Sequence, residues 1–220
     1  MNKLLIPNKV VRCRRKTISL QITIDGEFIV RAPMRCSDKE IFDFIRKKSS
    51  WIIEKRQENR KNYIKPLDFK TNETISLLGK QYKINLSRSK SAKFDEDSII
   101  LPSTQPKVHL IALLKQFAKD YLTERVVLLA ADYGFEYARV GISSAKSCWG
   151  SCGYNNSLNF TYKLMLCPVP VVDYIIVHEL CHTRIKNHSD KFWEIVENFV
   201  PNYKDHEAWL KKNRGIVNII

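Results

Sequence analysis

Hydrophobic and polar positions alternate with a period of two over Ile18, Leu20, Ile22 and Ile24, then again over Phe28 and Val30 after Asp25-Gly26. Period-two alternation broken by an Asp-Gly turn predicts a hairpin with one apolar face. Ala32-Pro33 interrupts it, Ser37-Asp38 supplies a helix cap, and the period lengthens to that of a helix over Lys39 to about Lys61, with Ile41, Phe44, Ile45, Trp51 and Ile52 on its apolar stripe. Thr74 to Leu78 and Gln81 to Leu86, separated by Gly79, read as a second hairpin. A shorter pair covers Ala92 to Phe94 and Ser98 to Leu101 around Asp95-Glu96-Asp97.

Pro102 to Pro106 reads as a connector, and the expected domain boundary lies there, giving a basic β-rich region with one helix over 1–104 and a second domain over 105–220. Beyond it, Leu110, Leu113, Leu114, Phe117, Tyr121, Leu122, Val126 and Leu129 mark one face of a long helix from about Val108 to Asp132, which Tyr133-Gly134 ends. A strand over Tyr137 to Ser143, a loop holding Ser147-Cys148-Trp149-Gly150-Ser151-Cys152, a turn at Tyr154-Asn155-Asn156 and a strand over Ser157 to Leu166 follow. Val169 opens a helix that is apolar nearly all round, through Val171, Val172, Ile175, Ile176 and Val177, and is therefore expected to be central and buried. Pro170 suits its first turn and Asp173 its positive end. Two shorter helices, Lys191 to about Phe199 and Asp205 to Lys212, close the chain. The pattern predicts an α+β fold.

The buried helix carries the chemistry, in the stretch HELCHTRIKNH from His178 to His188. A helix turns about 100° per residue, so His178 and His182 project from one face one turn apart and can converge on one cation. Glu179 stands beside them as a carboxylate able to take a proton from water activated by that cation. With 5 His in 220 residues, shuffling the composition produces His-Glu-x-x-His in about one sequence in two hundred, so chance explains it poorly. Three of the five histidines lie within eleven residues. Six further residues of helix would turn His188 about 240° away from His182, so the helix has to stop, between Ile185 and Asn187, before His188 can join the pair. Asn187 is the expected left-handed cap and Ser189-Asp190 the start of the next helix. Glu194, Glu197 and Glu207 are the competing third ligands. His188 stands ten residues after His178, the spacing of the extended metzincin pattern, but Ile185 occupies that pattern's Gly position.

Composition narrows the setting. Hydrophobic residues make up 44% and Gly and Pro number 7 and 8, which suits a globular chain without low-complexity tracts. Leu4-Leu5-Ile6 before Pro7 is too short for a signal peptide, and no uninterrupted run of about 18 apolar residues exists, so a cytoplasmic protein without a membrane partner is expected. The cysteines at 13, 36, 148, 152, 167 and 181 do not form a disulfide framework and are expected reduced. Cys148 and Cys152 form half a zinc-binding pattern with no second half. The net charge of +14 is uneven: residues 1–65 hold 17 Lys and Arg against 7 Asp and Glu. Arg12, Arg14, Arg15, Lys16, Arg46, Lys47 and Lys48 could meet phosphates, and non-specific nucleic-acid binding is the second candidate role; a solvated basic face is the plainer one.

The opening ISLQITIDGEFIVRAP, the tract FIRKKSSWI, the segment KSCWGSC and VVDYIIVHELCHTRIKNHSDKFWEIVENFVPNY together resemble the YgjP-like metallopeptidases, related to the WLM and SprT-like zinc peptidases. The family's usual tract has a basic residue where this chain has Cys148. The resemblance implies Zn2+ held by His178, His182 and His188, Glu179 as general base, and a zincin-like catalytic domain behind an N-terminal extension. A protein or peptide substrate is expected, and a nucleic-acid-associated protein, or a protease acting on DNA-bound proteins as some WLM and SprT-like relatives do, is the alternative reading of the basic N-terminal region. A zinc-stabilised interaction module without turnover is the alternative of another class.

Overall fold

The computed structural model describes residues 5–23, 25–145 and 148–220. Ile24, in the first strand pattern, and Ser147, in the loop before Cys148, lie outside the described residues, as does Leu4. The fold is mixed α+β and divides into two compact units, Met1–Lys65 and Pro66–Ile220.

In the first unit β1 (Lys9–Cys13) runs parallel to β3 (Phe28–Pro33), and β2 (Ser19–Ile22) pairs antiparallel to the other edge of β3. The β2–β3 hairpin is the one the alternation predicts. β1 has no such alternation, since both Val10 and its neighbours face partly outward, and only its pairing with β3 makes it a strand. The expected single helix is two, α1 (Asp38–Lys47) and α2 (Ser49–Lys61), broken at Lys48. Ser37 caps α1 in a reciprocal box with Glu40. The run Lys48-Ser49-Ser50 favours a restart over continuation, because serine competes for backbone hydrogen bonds inside a helix. The break resets the helical phase: Ile41, Ile45 and Ile52 enter the core with Phe28, Val30 and Ala32, while Trp51 is left 41% exposed.

The second unit begins with a four-stranded sheet in the order β4-β5-β7-β6, from β4 (Glu73–Leu77), β5 (Lys80–Ser87), β6 (Lys93–Asp95) and β7 (Ser98–Pro102). β5 and β7 are parallel and the outer pairs antiparallel. α3 (Pro106–Tyr133) follows and ends on Gly134, whose φ of 65° is the left-handed cap that glycine adopts without cost. The boundary expected near residue 104 falls inside this unit, where Ile99 and Leu101 of β7 share one core with Leu110 and Leu114 of α3. A second sheet has the order β8-β10-β9: β10 (Ser157–Thr161) lies parallel to β8 (Arg139–Ser143) and antiparallel to β9 (Gly150–Cys152). The strand expected to reach Leu166 stops at Thr161, and Tyr162–Leu166 tightens into a buried 3-10 turn.

These layers enclose α4 (Val169–Cys181), which buries Val171, Val172, Ile175, Ile176, Val177 and Leu180 around its whole circumference. Burial of each such side chain contributes about 1.5–3 kcal/mol, so α4 is fixed by its surroundings. Arg125 of α3 grips Asp173 near the N-terminal end of α4 through two hydrogen bonds of 2.7 Å. α5 (Asp190–Phe199) and α6 (Tyr203–Lys212) pack back on α4. All six cysteines are free, and among the described residues no helix is long and apolar enough to cross a membrane.

Candidate metal centre

α4 ends earlier than its sequence suggests. Cys181 is its last residue and His182 caps it in a helical conformation (φ −66°, ψ −14°). The chain then tightens, with Thr183 N–H donating to Leu180 and Arg184 and Ile185 N–H both donating to Cys181. Asn187 is absent from the positive-φ residues, so the expected left-handed cap does not form; its side-chain oxygen instead accepts from Ser189 N–H at 3.3 Å. The expected need for a stop before His188 holds, but the stop comes at the second histidine.

That turn swings His188 back over α4. His188 Nε2 lies 3.1 Å from His178 Nε2 and 3.2 Å from His182 Nε2. Nitrogens bound about 2.0–2.1 Å from a tetrahedral zinc stand about 3.3 Å apart, so the three imidazoles fit such an ion. His182 Nδ1–H donates to the Ile185 carbonyl at 2.9 Å, which leaves its Nε2 lone pair free for a cation. His178 is held by rings instead, with Tyr174, Phe192 and Trp193 at 5.9, 5.0 and 5.7 Å. Burial, and then the neighbouring His182 and His188, pushes His178 down to about 3, so it stays neutral and able to ligate at ordinary pH. Burial also lowers His182. Among the described residues this trio is the group of His, Cys, Asp or Glu side chains able to hold a metal. Glu194, Glu197, Glu207 and the cysteines do not join it.

α5 supports the trio directly. Phe192 is fully buried, stacks on His182 at 4.3 Å and meets His188 edge-on at 4.9 Å. Trp193 lies 5.6 Å from His188 and stacks in turn on Tyr203 of α6 at 5.2 Å. Tyr203 is therefore a buttress. The ligand turn is also tied at both ends: Lys186 Nζ donates to the Gly153 carbonyl at 2.9 Å and to Asn156 at 2.6 Å, while Arg184 donates to the Gly134 carbonyl at 2.7 Å.

Glu179 is only 6% exposed and points into an open cleft of about 270 Å³ lined by Trp149, Gly150, Tyr174, Ile175, His178, Glu207 and Leu210. Burial raises its carboxyl to about 7, where it exchanges a proton near neutral pH. Gly150 is what admits it: a Cβ there would stand 2.7 Å from both Cγ and Oε1 of Glu179. The three histidines and Glu179 are the residues the sequence pattern singles out, whereas the contacts of Gly150, Tyr174, Lys186 and Arg184 come from elements meeting in space. The Trp149-Gly150 dipeptide was the only local signal.

The family described as YgjP-like, metallopeptidase domain, matches residues 16–213. No curated protein matches the sequence. Two solved structures show partial similarity. One is the metallopeptidase zymogen jannalysin of Methanocaldococcus jannaschii, 22% identical, covering 40% of this chain and 90% of that one with a TM-score of 0.36. The other is the metallopeptidase zymogen abylysin of Pyrococcus abyssi, 20% identical, covering 40% and 89% with a TM-score of 0.37. Both likenesses are too loose to carry an assignment. The family match spans nearly the whole sequence, and the chain belongs to the YgjP-like metallopeptidases.

Proposed function

We propose that this metallopeptidase is zinc-dependent, with His178, His182 and His188 as ligands and Glu179 as the general base. The observation that supports the reading most is the convergence of three Nε2 atoms, two separations being 3.1 and 3.2 Å, beside a buried carboxylate that opens on a cleft. Zinc in that donor set supplies a Lewis acid that polarises water and the scissile carbonyl.

The chain's own groups do the rest. Glu179 accepts a proton from water at its carboxylate and delivers it to the leaving amine; its raised pKa makes both transfers accessible near neutral pH. The hydrogen bond from His182 to Ile185 fixes one ligand's tautomer, and the rings of Phe192 and Trp193 fix the other two in orientation. Trp149, Ile175 and Leu210 give the cleft apolar walls along which a peptide can lie beside Glu179. The expected substrate is a protein or peptide.

Glu179→Gln tests this assignment. The variant is expected to keep its zinc and lose peptide hydrolysis by about 10²–10⁴-fold. Undiminished turnover would remove Glu179 from the reaction. Zinc retention together with no turnover in the wild type would favour an interaction module.

A further inference from the structure

The cleft beside Glu179 has a second end. It follows α4 back toward its N-terminus, from His178 to Tyr174 one turn earlier, and reaches α6 at Glu207 and Leu210. Its walls there are Trp149, Tyr174, Ile175 and Leu210, and among the described residues its other ionisable lining groups are His178 and Glu179. Among the described residues no lysine or arginine lines it, although the chain as a whole carries +14. Glu207 is an exposed carboxylate of α6 that shares the cleft lining with Tyr174 of α4. Lysines flank Glu207 on α6, yet Lys204 turns over the Tyr203 ring at 5.7 Å, and among the described residues Glu207 forms no ion pair. One carboxylate at the end of an aromatic and aliphatic groove is therefore available to a cation from outside.

Resting on the metallopeptidase reading above, we propose that this groove is a specificity subsite for a basic side chain, lysine or arginine, of the substrate peptide, with Glu207 as its counter-ion. The dimensions suit it. Four residues of α4 separate His178 from Tyr174, about 6 Å along the axis, an interval that the long four-carbon stem of a lysine flanking the scissile bond can span. Its methylenes lie along Trp149, Ile175 and Leu210 while its charge meets Glu207. An acidic side chain in the same place would face the Glu207 carboxylate directly.

The test is digestion of a synthetic peptide library, equimolar at each varied position, by the zinc-loaded full chain, with cut sites read by mass spectrometry. Lysine and arginine are expected at one position flanking the cut at least fivefold above their input. Glu207→Gln should erase that enrichment, and Glu207→Lys should replace it with aspartate and glutamate. Cleavage without basic enrichment, or enrichment that survives in Glu207→Gln, would overturn the subsite while leaving the peptidase reading intact. If no peptide is cut, the peptidase reading fails, and binding decides the subsite separately. Zinc-loaded Glu179→Gln should then bind an acetylated alanine heptapeptide with central lysine at least tenfold more tightly than its norleucine counterpart; equal binding would overturn the proposal.

Discussion

Glu179 and Gly150 form a pair in which one residue's chemistry depends on the other's lack of a side chain. A Cβ at 150 would lie 2.7 Å from Glu179 Oε1, well inside contact distance, so Gly150→Ala must displace the carboxylate. The expected result is a fall in kcat of ten- to a hundredfold with zinc stoichiometry unchanged, measured by steady-state kinetics beside elemental analysis. A proportional loss of zinc would show that the substitution disturbs α4 instead. His178, Glu179 and His182 were legible in the sequence because their relation is local: helical geometry alone puts residues four apart on one face. Gly150 was not, because its neighbour is twenty-nine residues away and only the seating of β9 against α4 brings them together. Tyr174 and Glu207 stand on different helices and come together only in the lining of the cleft.

The turn between α4 and α5 is the element on which the proposed third ligand, His188, depends. It is held by Lys186 to the β9–β10 turn, by Arg184 to the cap of α3, and by Phe192 beneath the imidazoles. Arg184 also covers the ring of Phe135 at 4.1 Å. Both contacts bear on zinc through the position of His188, and the charge of Lys186 adds a small lowering effect on His182. Lys186→Met keeps the aliphatic stem and removes the ammonium; it is expected to weaken zinc binding about ten- to a hundredfold in competition with a chelator. Unchanged zinc affinity would make that contact incidental. Sequence predicted that the helix stops and His188 returns, because a continuous helix would carry it to the wrong side. It misplaced the stop, since the tightening after Cys181 leaves no cap residue to read. The same limit hid β1 and β9, strands of five and three residues made by their partners, and the break at Lys48.

At the scale of the molecule, the ligands, Glu179 and the cleft all lie within Pro66–Ile220, and the surplus of positive charge lies in Met1–Lys65. Arg12 is paired with Asp38 and the Cys36 carbonyl, and Arg15 donates to Ser19, so two of the arginines that looked ready for phosphate serve the fold of their own unit. Attraction of this unit for nucleic acid would rest on dispersed charge, weak and strongly salt-dependent. Residues 66–220 expressed alone are expected to fold cooperatively and bind one zinc, checked by thermal unfolding with and without chelator, because this unit holds one continuous core with the four-stranded sheet and also carries all three proposed ligands. Starting instead at residue 105 should abolish folding, since it strips Ile75, Leu77, Ile84, Ile99 and Leu101 from that core. The organisation of the second unit was legible in its strand and helix periods, whereas its extent was not: the Pro102–Pro106 connector resembles a linker in composition and is a tight joint inside one core. The central claim is the three-histidine zinc site, and the direct measurement is zinc content of the full-length wild type beside His188→Ala. About one zinc per wild-type chain and a large loss of content and affinity in the variant are predicted; full occupancy with unchanged affinity in His188→Ala would contradict the site.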